Sequence, residues 1–263
     1  MGEPLLIRED DGAIANLTLN NPAKLNVLSD DMLSDLISQF NTLAETPGIR
    51  VITLKGAGKA FCAGHDLREM TEKRQAPDGG AAAFKELFDT CSQMMSKIRA
   101  LPQPVIAEVH GIATAAGCQL VASCDLAIAA EDTKFGVNGV NIGLFCSTPM
   151  VALSRNIPQK QAFEMLTTGN FIDSRKAQEL GLINRSVPQD DLAQATNDLA
   201  RQIASKLGSA VKIGKEAFYK QSEMSLHDAY SYVSEVMVEN MLYAQTEKGI
   251  DAFLNKEKPD WDQ

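Results

Sequence analysis

The sequence predicts an α/β protein with a helical carboxyl-terminal part, and two observations support this. In residues 1–190, β-rich runs alternate with segments whose apolar residues recur at helical spacing, which is typical of parallel strands joined by helical crossovers. In residues 191–263, apolar and charged residues alternate at helical periods only. We therefore expect a β/α core over 1–190, and a helical region over 191–263 that packs on the core or on a second copy of the chain.

Local patterns define the elements of the core in order. Two short strands, LLIRED and AIANLTLN, flank a predicted turn at Asp10–Gly12. A helix follows, with Ser29 as its expected amino-terminal cap. The β-rich run RVITLKG comes next, and then a helix over about residues 82–100, which Pro102 and Pro104 are expected to end. The runs PVIAEVHG and DLAIAAEDTKFG each predict one further strand.

The remaining segments predict a loop and the helical region. Residues Glu72–Gly80 are polar and contain proline and glycine, so we expect a mobile loop there. Helical periodicity predicts three helices in the carboxyl-terminal region, at about residues 189–207, 209–223 and 225–254.

Composition argues against several classes of function. The 263 residues carry 25 Lys and Arg against 34 Asp and Glu, a net charge of −9, whereas a nucleic-acid binder needs a basic face. No run approaches the roughly 18 apolar residues of a membrane span, and the acidic start MGEPLLIREDD does not resemble a secretory signal. Five cysteines without a CxxC motif predict free thiols rather than disulfides or a zinc site. We expect an intracellular protein, cytoplasmic or in the mitochondrial matrix, that binds no metal.

The first candidate motif is FCAGHDL, at residues Phe61–Leu67, which follows the run RVITLKG. Glycine beside small residues after a strand lets backbone amides approach a ligand closely. The alternative is a tight strand-to-helix turn in which Asp66 caps the helix, and capping is the preferred interpretation for that side chain.

The second candidate motif is HGIATAAGCQ, at residues His110–Gln119, which follows the run PVIAEVHG. Small residues at a helix start expose N–H groups that favour negative charge; the alternative is close helix–strand packing, in which small residues simply fit. Two strand ends that each offer an amide can together form an oxyanion hole for an acyl carbonyl. The two motifs together therefore predict an oxyanion hole, which neither motif predicts alone.

These motifs resemble the crotonase (enoyl-CoA hydratase/isomerase) superfamily. The segments NNPAKLNVL, NIGL, TGNFIDSRKAQELGLINRSVP and GIDAFLNKEKPDW extend the resemblance in order over nearly the whole chain. It implies a spiral of ββα units with a C-terminal helical region, usually assembled as a homotrimer or a dimer of trimers. It also implies an acyl-CoA thioester substrate, no cofactor besides the coenzyme A of that substrate, and oxyanion-hole N–H groups at His65 and Ala116.

The resemblance also implies where coenzyme A would lie. Lys24 stands one position later than the basic residue of many members, and for Lys256 a solvated surface charge is a nearly equal interpretation. Phe253 and Lys256 match carboxyl-terminal positions that often reach the coenzyme A of a neighbouring subunit. The implied substrate-binding residues are Ala23, Lys24, Leu25, Ala63, Gly64, Asp66, Leu67, Ala115, Phe253 and Lys256.

The sequence departs from the superfamily at two positions that matter for chemistry. Members that hydrate a double bond use two glutamates to hold water and move its proton, and this chain has Gln119 and Gly139 in their places. An amide can orient water but cannot act as a base. The leading interpretation is an enoyl-CoA hydratase-like lyase or isomerase; the alternatives are a non-catalytic acyl-CoA binder and a malonyl-type acyl-CoA decarboxylase. The side chains that could take over the role of the missing glutamates are those of His65, Asp66, Asn141 and Cys146.

Overall fold

The computed structural model describes residues 3–261, in which strands and helices alternate up to residue 187 and only helices follow. The strands are β1 (Leu6–Asp11), β2 (Ile14–Leu19), β3 (Val51–Gly56), β4 (Val105–Val109), β5 (Ile112–Thr114), β6 (Leu126–Ala130), β7 (Lys134–Gly136), β8 (Ile172–Asp173) and β9 (Arg185–Val187).

The α-helices fall into a core set and a carboxyl-terminal set. The core set is α1 (Asp30–Ala44), α2 (Leu67–Lys73), α3 (Ala81–Ala100), α4 (Ala116–Ser123), α5 (Ser147–Asn156), α6 (Gln159–Thr168) and α7 (Ser174–Leu180). The carboxyl-terminal set is α8 (Leu192–Ala204), α9 (Gly208–Gln221), α10 (Leu226–Met241) and α11 (Ala244–Leu254).

The strands form two sheets, and the larger one confirms the predicted α/β class. Its order is β1-β2-β3-β4-β6-β9; β1 and β2 are antiparallel and the other neighbours are parallel. The smaller sheet has the order β5-β7-β8. Helices α1 and α3 pack together on one side of the larger sheet, and α8 covers the other side around Val51 and Ile106. The central strands are therefore apolar on both faces, as expected for a parallel sheet covered twice.

Capping and breaking signals in the sequence locate two helices correctly. The Ser29 hydroxyl accepts a hydrogen bond from the Met32 amide at 3.2 Å, which satisfies a free N–H at the start of α1. Helix α3 ends at Ala100, immediately before a proline-containing turn. Both features confirm the predictions made from local chemistry.

Two predicted elements are each divided in the structure. The run DLAIAAEDTKFG forms β6 and β7 in different sheets, because the chain turns where the Thr133 amide donates to the Ala130 carbonyl at 3.1 Å. The predicted helix over 225–254 is likewise two helices, α10 and α11. The backbone of Tyr243 is extended there (φ −69°, ψ 130°), so helical hydrogen bonding stops between them.

The predicted polar loop is shorter than expected. Glu72 and Lys73 belong to α2, and Asp78 caps the next helix by accepting hydrogen bonds from the amides of Gly80 and Ala82, each at 2.9 Å. Helix α8 packs on β3, β4 and β6, so the first carboxyl-terminal helix lies directly on the larger sheet. In residues 3–261, no helix is both long and apolar enough to cross a membrane.

Candidate active site

The two candidate motifs run side by side in the structure. The Cys62 amide donates to the Ile112 carbonyl at 3.2 Å, and the Thr114 amide donates to the Cys62 carbonyl at 3.1 Å. These bonds make a short parallel pairing between Cys62 and Ala113. The segment after β3 and the segment after β5 therefore approach the start of α4 together.

Glycine makes this approach possible at two points. Gly64 has φ +92°, and a Cβ added to it would lie 3.0 Å from the Ala115 Cβ and 3.3 Å from the Ala116 nitrogen. A Cβ added to Gly117 would collide with the Cys62 carbonyl oxygen. Because neither position has room for a side chain, the loop that carries His65 lies directly against the first turn of α4.

The amides of His65 and Ala116 donate to no protein acceptor in the described part of the chain. Ala116 is the first residue of α4 and is buried, so its free N–H group is inaccessible to bulk water. The preceding residue, Ala115, has φ 51° and ψ −120°, a strained conformation for a residue with a side chain. A buried free amide beside backbone strain is typical of a site that receives a ligand oxygen.

The predicted coenzyme A loops adjoin each other. The Ala63 amide donates to the Leu25 carbonyl at 3.0 Å, and the Leu28 amide donates to the Gly64 carbonyl at 2.7 Å. Asn26, which the sequence analysis did not select, is fully buried and holds this corner. Its side chain donates to the carbonyls of Ala57 and Ala60. The only sequence signal was its place in an asparagine- and proline-rich turn.

Lys24 and Asp66 form an ion pair across the two loops. The Lys24 ammonium lies 2.8 Å from the Asp66 carboxylate, whose side chain is only 6% exposed. Asp66 also accepts a hydrogen bond from the Arg68 amide at 2.9 Å and so caps α2, which confirms the capping interpretation. The Lys24 contact, together with the amide hydrogen bonds, holds the pKa of Asp66 below its ordinary value.

The two positions that correspond to glutamates lie in different surroundings. Gln119 is 5% exposed, and its side-chain oxygen has no hydrogen-bond partner in the described residues. Gly139 has no free space beside it, since an added Cβ would collide with the Leu144 carbonyl oxygen and lie 2.9 Å from the Cys146 sulfur. The backbone of the following loop therefore occupies the place where a second acidic side chain would begin.

A hydrogen bond connects the two halves of this region. The Thr114 hydroxyl donates to the Asn138 side-chain oxygen at 2.6 Å, which joins the residue before Ala115 to the residue before Gly139. Neither Thr114 nor Asn138 was selected from the sequence, because the two residues lie 24 positions apart in the chain. The pair fixes the start of α4 relative to the turn around Gly139.

The cysteines are structural rather than ionised. All five are free, as the sequence predicts, and the structure shows that all five are buried. Burial raises the pKa of the Cys118 thiol to about 12 and raises that of Cys146, so both stay protonated at neutral pH. In residues 3–261 no group of three His, Cys, Asp or Glu side chains could hold a metal ion.

Five predicted binding residues are exposed in the single chain: Ala23, Lys24, Leu67, Phe253 and Lys256. Leu67 and Ala23 lie on the two loops beside the site and face solvent. Phe253 is 80% exposed near the end of α11, and Lys256 follows that helix with a left-handed backbone, φ 59°. Helix α11 packs on α10.

Comparisons with known proteins show which family this chain resembles. The family model described as enoyl-CoA hydratase/isomerase matches residues 9–263. The human protein named enoyl-CoA hydratase domain-containing protein 3, mitochondrial, is 46% identical over 258 residues, which cover 98% of this chain and 83% of that protein. Its counterpart from Xenopus laevis is 44% identical, with 98% and 86% covered.

Solved structures have the same architecture. The structure of an enoyl-CoA hydratase from Mycobacterium smegmatis is 47% identical with a TM-score of 0.95, and 99% of this chain and 100% of that chain are covered. The structure of the human domain-containing protein 3 is 44% identical with a TM-score of 0.94, and the shares are 98% and 100%.

Proposed function

The chain belongs to the enoyl-CoA hydratase/isomerase family, and from this premise we propose that it binds an acyl-CoA thioester at the junction of the two motifs. The thioester carbonyl oxygen would accept hydrogen bonds from the amides of His65 and Ala116. The observation that supports this best is the pair of free amides on adjoining segments, one of them beside the strained residue Ala115.

The chemistry that such a site favours is formation of an enolate. Two fixed N–H donors stabilise the negative charge that develops on the thioester oxygen when a proton leaves the α-carbon or water adds to the β-carbon. One donor of this kind is worth about 3 kcal/mol in other enzymes. We therefore propose an enoyl-CoA hydratase-like lyase or isomerase, in which the Gln119 amide could orient a water molecule.

The two adjoining loops would bind coenzyme A. Residues 23–25 and 63–67 are linked by the Ala63–Leu25 hydrogen bond and so form one surface beside the oxyanion position. The Lys24 side chain is about half exposed and would reach a phosphate of coenzyme A from there. Because its ammonium already pairs with Asp66, part of its positive charge would be neutralised before the phosphate binds. Phe253 and Lys256 would contribute from a neighbouring subunit.

We propose assembly as a homotrimer or a dimer of trimers through the carboxyl-terminal helices. Large apolar side chains on α9, α10 and α11 are exposed in the single chain, more than a monomer usually leaves to solvent. They include Phe218, Leu226, Tyr230, Met237, Val238, Met241, Leu242, Phe253 and Leu254. Light scattering after gel filtration should give three or six chains per particle. We also propose that the chain divides at residue 190 into the β/α core and the helical carboxyl-terminal region.

Turnover of 2-enoyl-CoA thioesters tests the proposed reaction. Purified protein is incubated with crotonyl-CoA and longer 2-enoyl-CoAs, and the loss of the conjugated thioester absorbance is followed. Hydration above background supports a hydratase. No turnover together with measurable binding would instead support the second candidate, a non-catalytic acyl-CoA binder, which the closed environment of Gly139 favours.

A decarboxylase remains a separate arm of the same assay. Loss of CO2 from malonyl- or methylmalonyl-CoA forms an enolate without a base, so the two amides alone would serve that reaction. Release of CO2 from either thioester would support it. Gln119→Glu tests whether the missing carboxylate limits hydration, because it restores one carboxylate without disturbing the backbone around Gly139.

A further inference from the structure

Of the five buried side-chain polar atoms that lack a hydrogen-bond partner in the described residues, two belong to residues of the proposed oxyanion region. They are the Nε2 of His65 and the Oε1 of Gln119. His65 supplies one of the two amides itself, and Gln119 follows the other amide, that of Ala116, by three positions on one face of α4. Buried polar atoms are nearly always hydrogen-bonded, so a pair of unpartnered ones points to a ligand that completes them.

The orientation of the His65 ring determines which nitrogen is free to act. Nδ1 lies 3.3 Å from the Leu28 carbonyl oxygen. Because a carbonyl oxygen only accepts hydrogen bonds, this contact assigns the ring proton to Nδ1 and leaves a lone pair on Nε2. The ring packs edge-to-face against Phe88 at 5.7 Å, which fixes it further.

Burial keeps this imidazole neutral. It lowers the pKa of His65 below the ordinary 6.5, mainly because the charged form would lose its hydration. The charged groups that face the ring are Lys73 on α2 and Asp30 on α1, and they pair with each other at 2.6 Å. Lys73 lowers the pKa of His65 and Asp30 raises it, while burial remains the largest cause, so Nε2 is an unprotonated acceptor at neutral pH.

The other candidate bases are less suitable. The Asp66 carboxylate is occupied by Lys24 and by the start of α2. The Cys146 thiol has a raised pKa and stays protonated. Asn141 carries an amide, which is not a base, and its side chain contacts the Gly169 carbonyl at 3.4 Å.

We propose that the His65 Nε2 is the base that transfers the substrate proton in this site. This inference rests on the proposed binding of an acyl-CoA thioester. In the elementary step the α C–H bond breaks, its proton moves to Nε2, and its electron pair forms the enolate on the thioester oxygen. The imidazolium then returns a proton to the α-carbon and restores the thioester.

Deuterium exchange into butyryl-CoA tests the proposal. Loss of its α-proton NMR signals in D2O reports enolate formation, while calorimetric titration of butyryl-CoA measures binding separately. The test variant is His65→Asn, whose side-chain amide can still donate toward Leu28 while the backbone N–H is kept. The matched control is His227→Asn, at an exposed position on α10.

We expect His65→Asn to bind butyryl-CoA as the wild type does and to exchange roughly 10²- to 10⁴-fold more slowly. The control should exchange at the wild-type rate. Wild-type exchange should also fall as the pH drops below 6.5 through the lowered pKa of His65. If His65→Asn does not fold, His65→Gln must show the same loss.

The possible failures are distinguishable. Absence of butyryl-CoA binding by the wild type overturns the proposed function itself. Binding without exchange by the wild type, or equal exchange by wild type and His65→Asn, leaves that function standing and refutes the role of His65.

Discussion

Gly139→Ala tests whether the position of the second catalytic glutamate is closed. The added Cβ would collide with the Leu144 carbonyl oxygen and lie 2.9 Å from the Cys146 sulfur. Since a backbone atom cannot rotate away as a side-chain end can, the loop must shift. Overpacking of this kind costs about 1–3 kcal/mol of unfolding free energy. For a domain near this size, that lowers the melting temperature by roughly 2–12 °C.

Differential scanning calorimetry measures the effect, and Gly214→Ala is the matched control. Gly214 lies inside α9, and a Cβ there would meet nothing within 4 Å. Alanine is favoured over glycine in a helix by about 1 kcal/mol, so the control should melt at a higher temperature than the wild type. If Gly139→Ala melts at the wild-type temperature or above it, the position beside Gly139 is not closed.

Three further predictions concern the strained backbone of Ala115, the pH dependence of the Asp66 ion pair and the ion pair between Lys215 and Asp125. Ala115→Gly removes a strained backbone conformation worth about 1–3 kcal/mol against a glycine entropy cost of about 0.4–1 kcal/mol, so calorimetry should show a higher melting temperature; a lower one would contradict the strain. Asp66→Asn should be less stable than the wild type at pH 7. This difference should vanish as the pH falls below 3.8, because a carboxylate with a lowered pKa loses its stabilising effect when it is protonated; a constant difference in urea titrations would refute the pairing with Lys24. The Lys215 ammonium on α9 lies 2.7 Å from the Asp125 carboxylate, and the two side chains are only 6% and 11% exposed. Lys215→Met removes the cation from this shielded pair and should cost about 3–5 kcal/mol in the same titrations, whereas a loss under 1 kcal/mol would show that the pair is dispensable.

Local chemistry made much of the fold predictable. The caps at Ser29 and Asp66 are formed by residues within three positions of the amides they satisfy, so the sequence alone identifies them. The closure beside Gly139 was not predictable, because it depends on where the Leu144 carbonyl lies after a turn. Asn26 was missed because the two carbonyls to which its side chain donates lie more than thirty residues away.

Infrared spectroscopy of butyryl-CoA labelled with ¹³C at the thioester carbonyl tests the central proposal most directly. Hydrogen bonds from His65 and Ala116 would polarise the carbonyl, so its stretching band should move to lower wavenumber when the thioester binds. Ala116→Pro removes one N–H at the first position of α4 and, in a protein that still folds, should reduce that shift. A band unmoved by binding, or an equal shift in a folded Ala116→Pro protein, would contradict the proposed oxyanion hole.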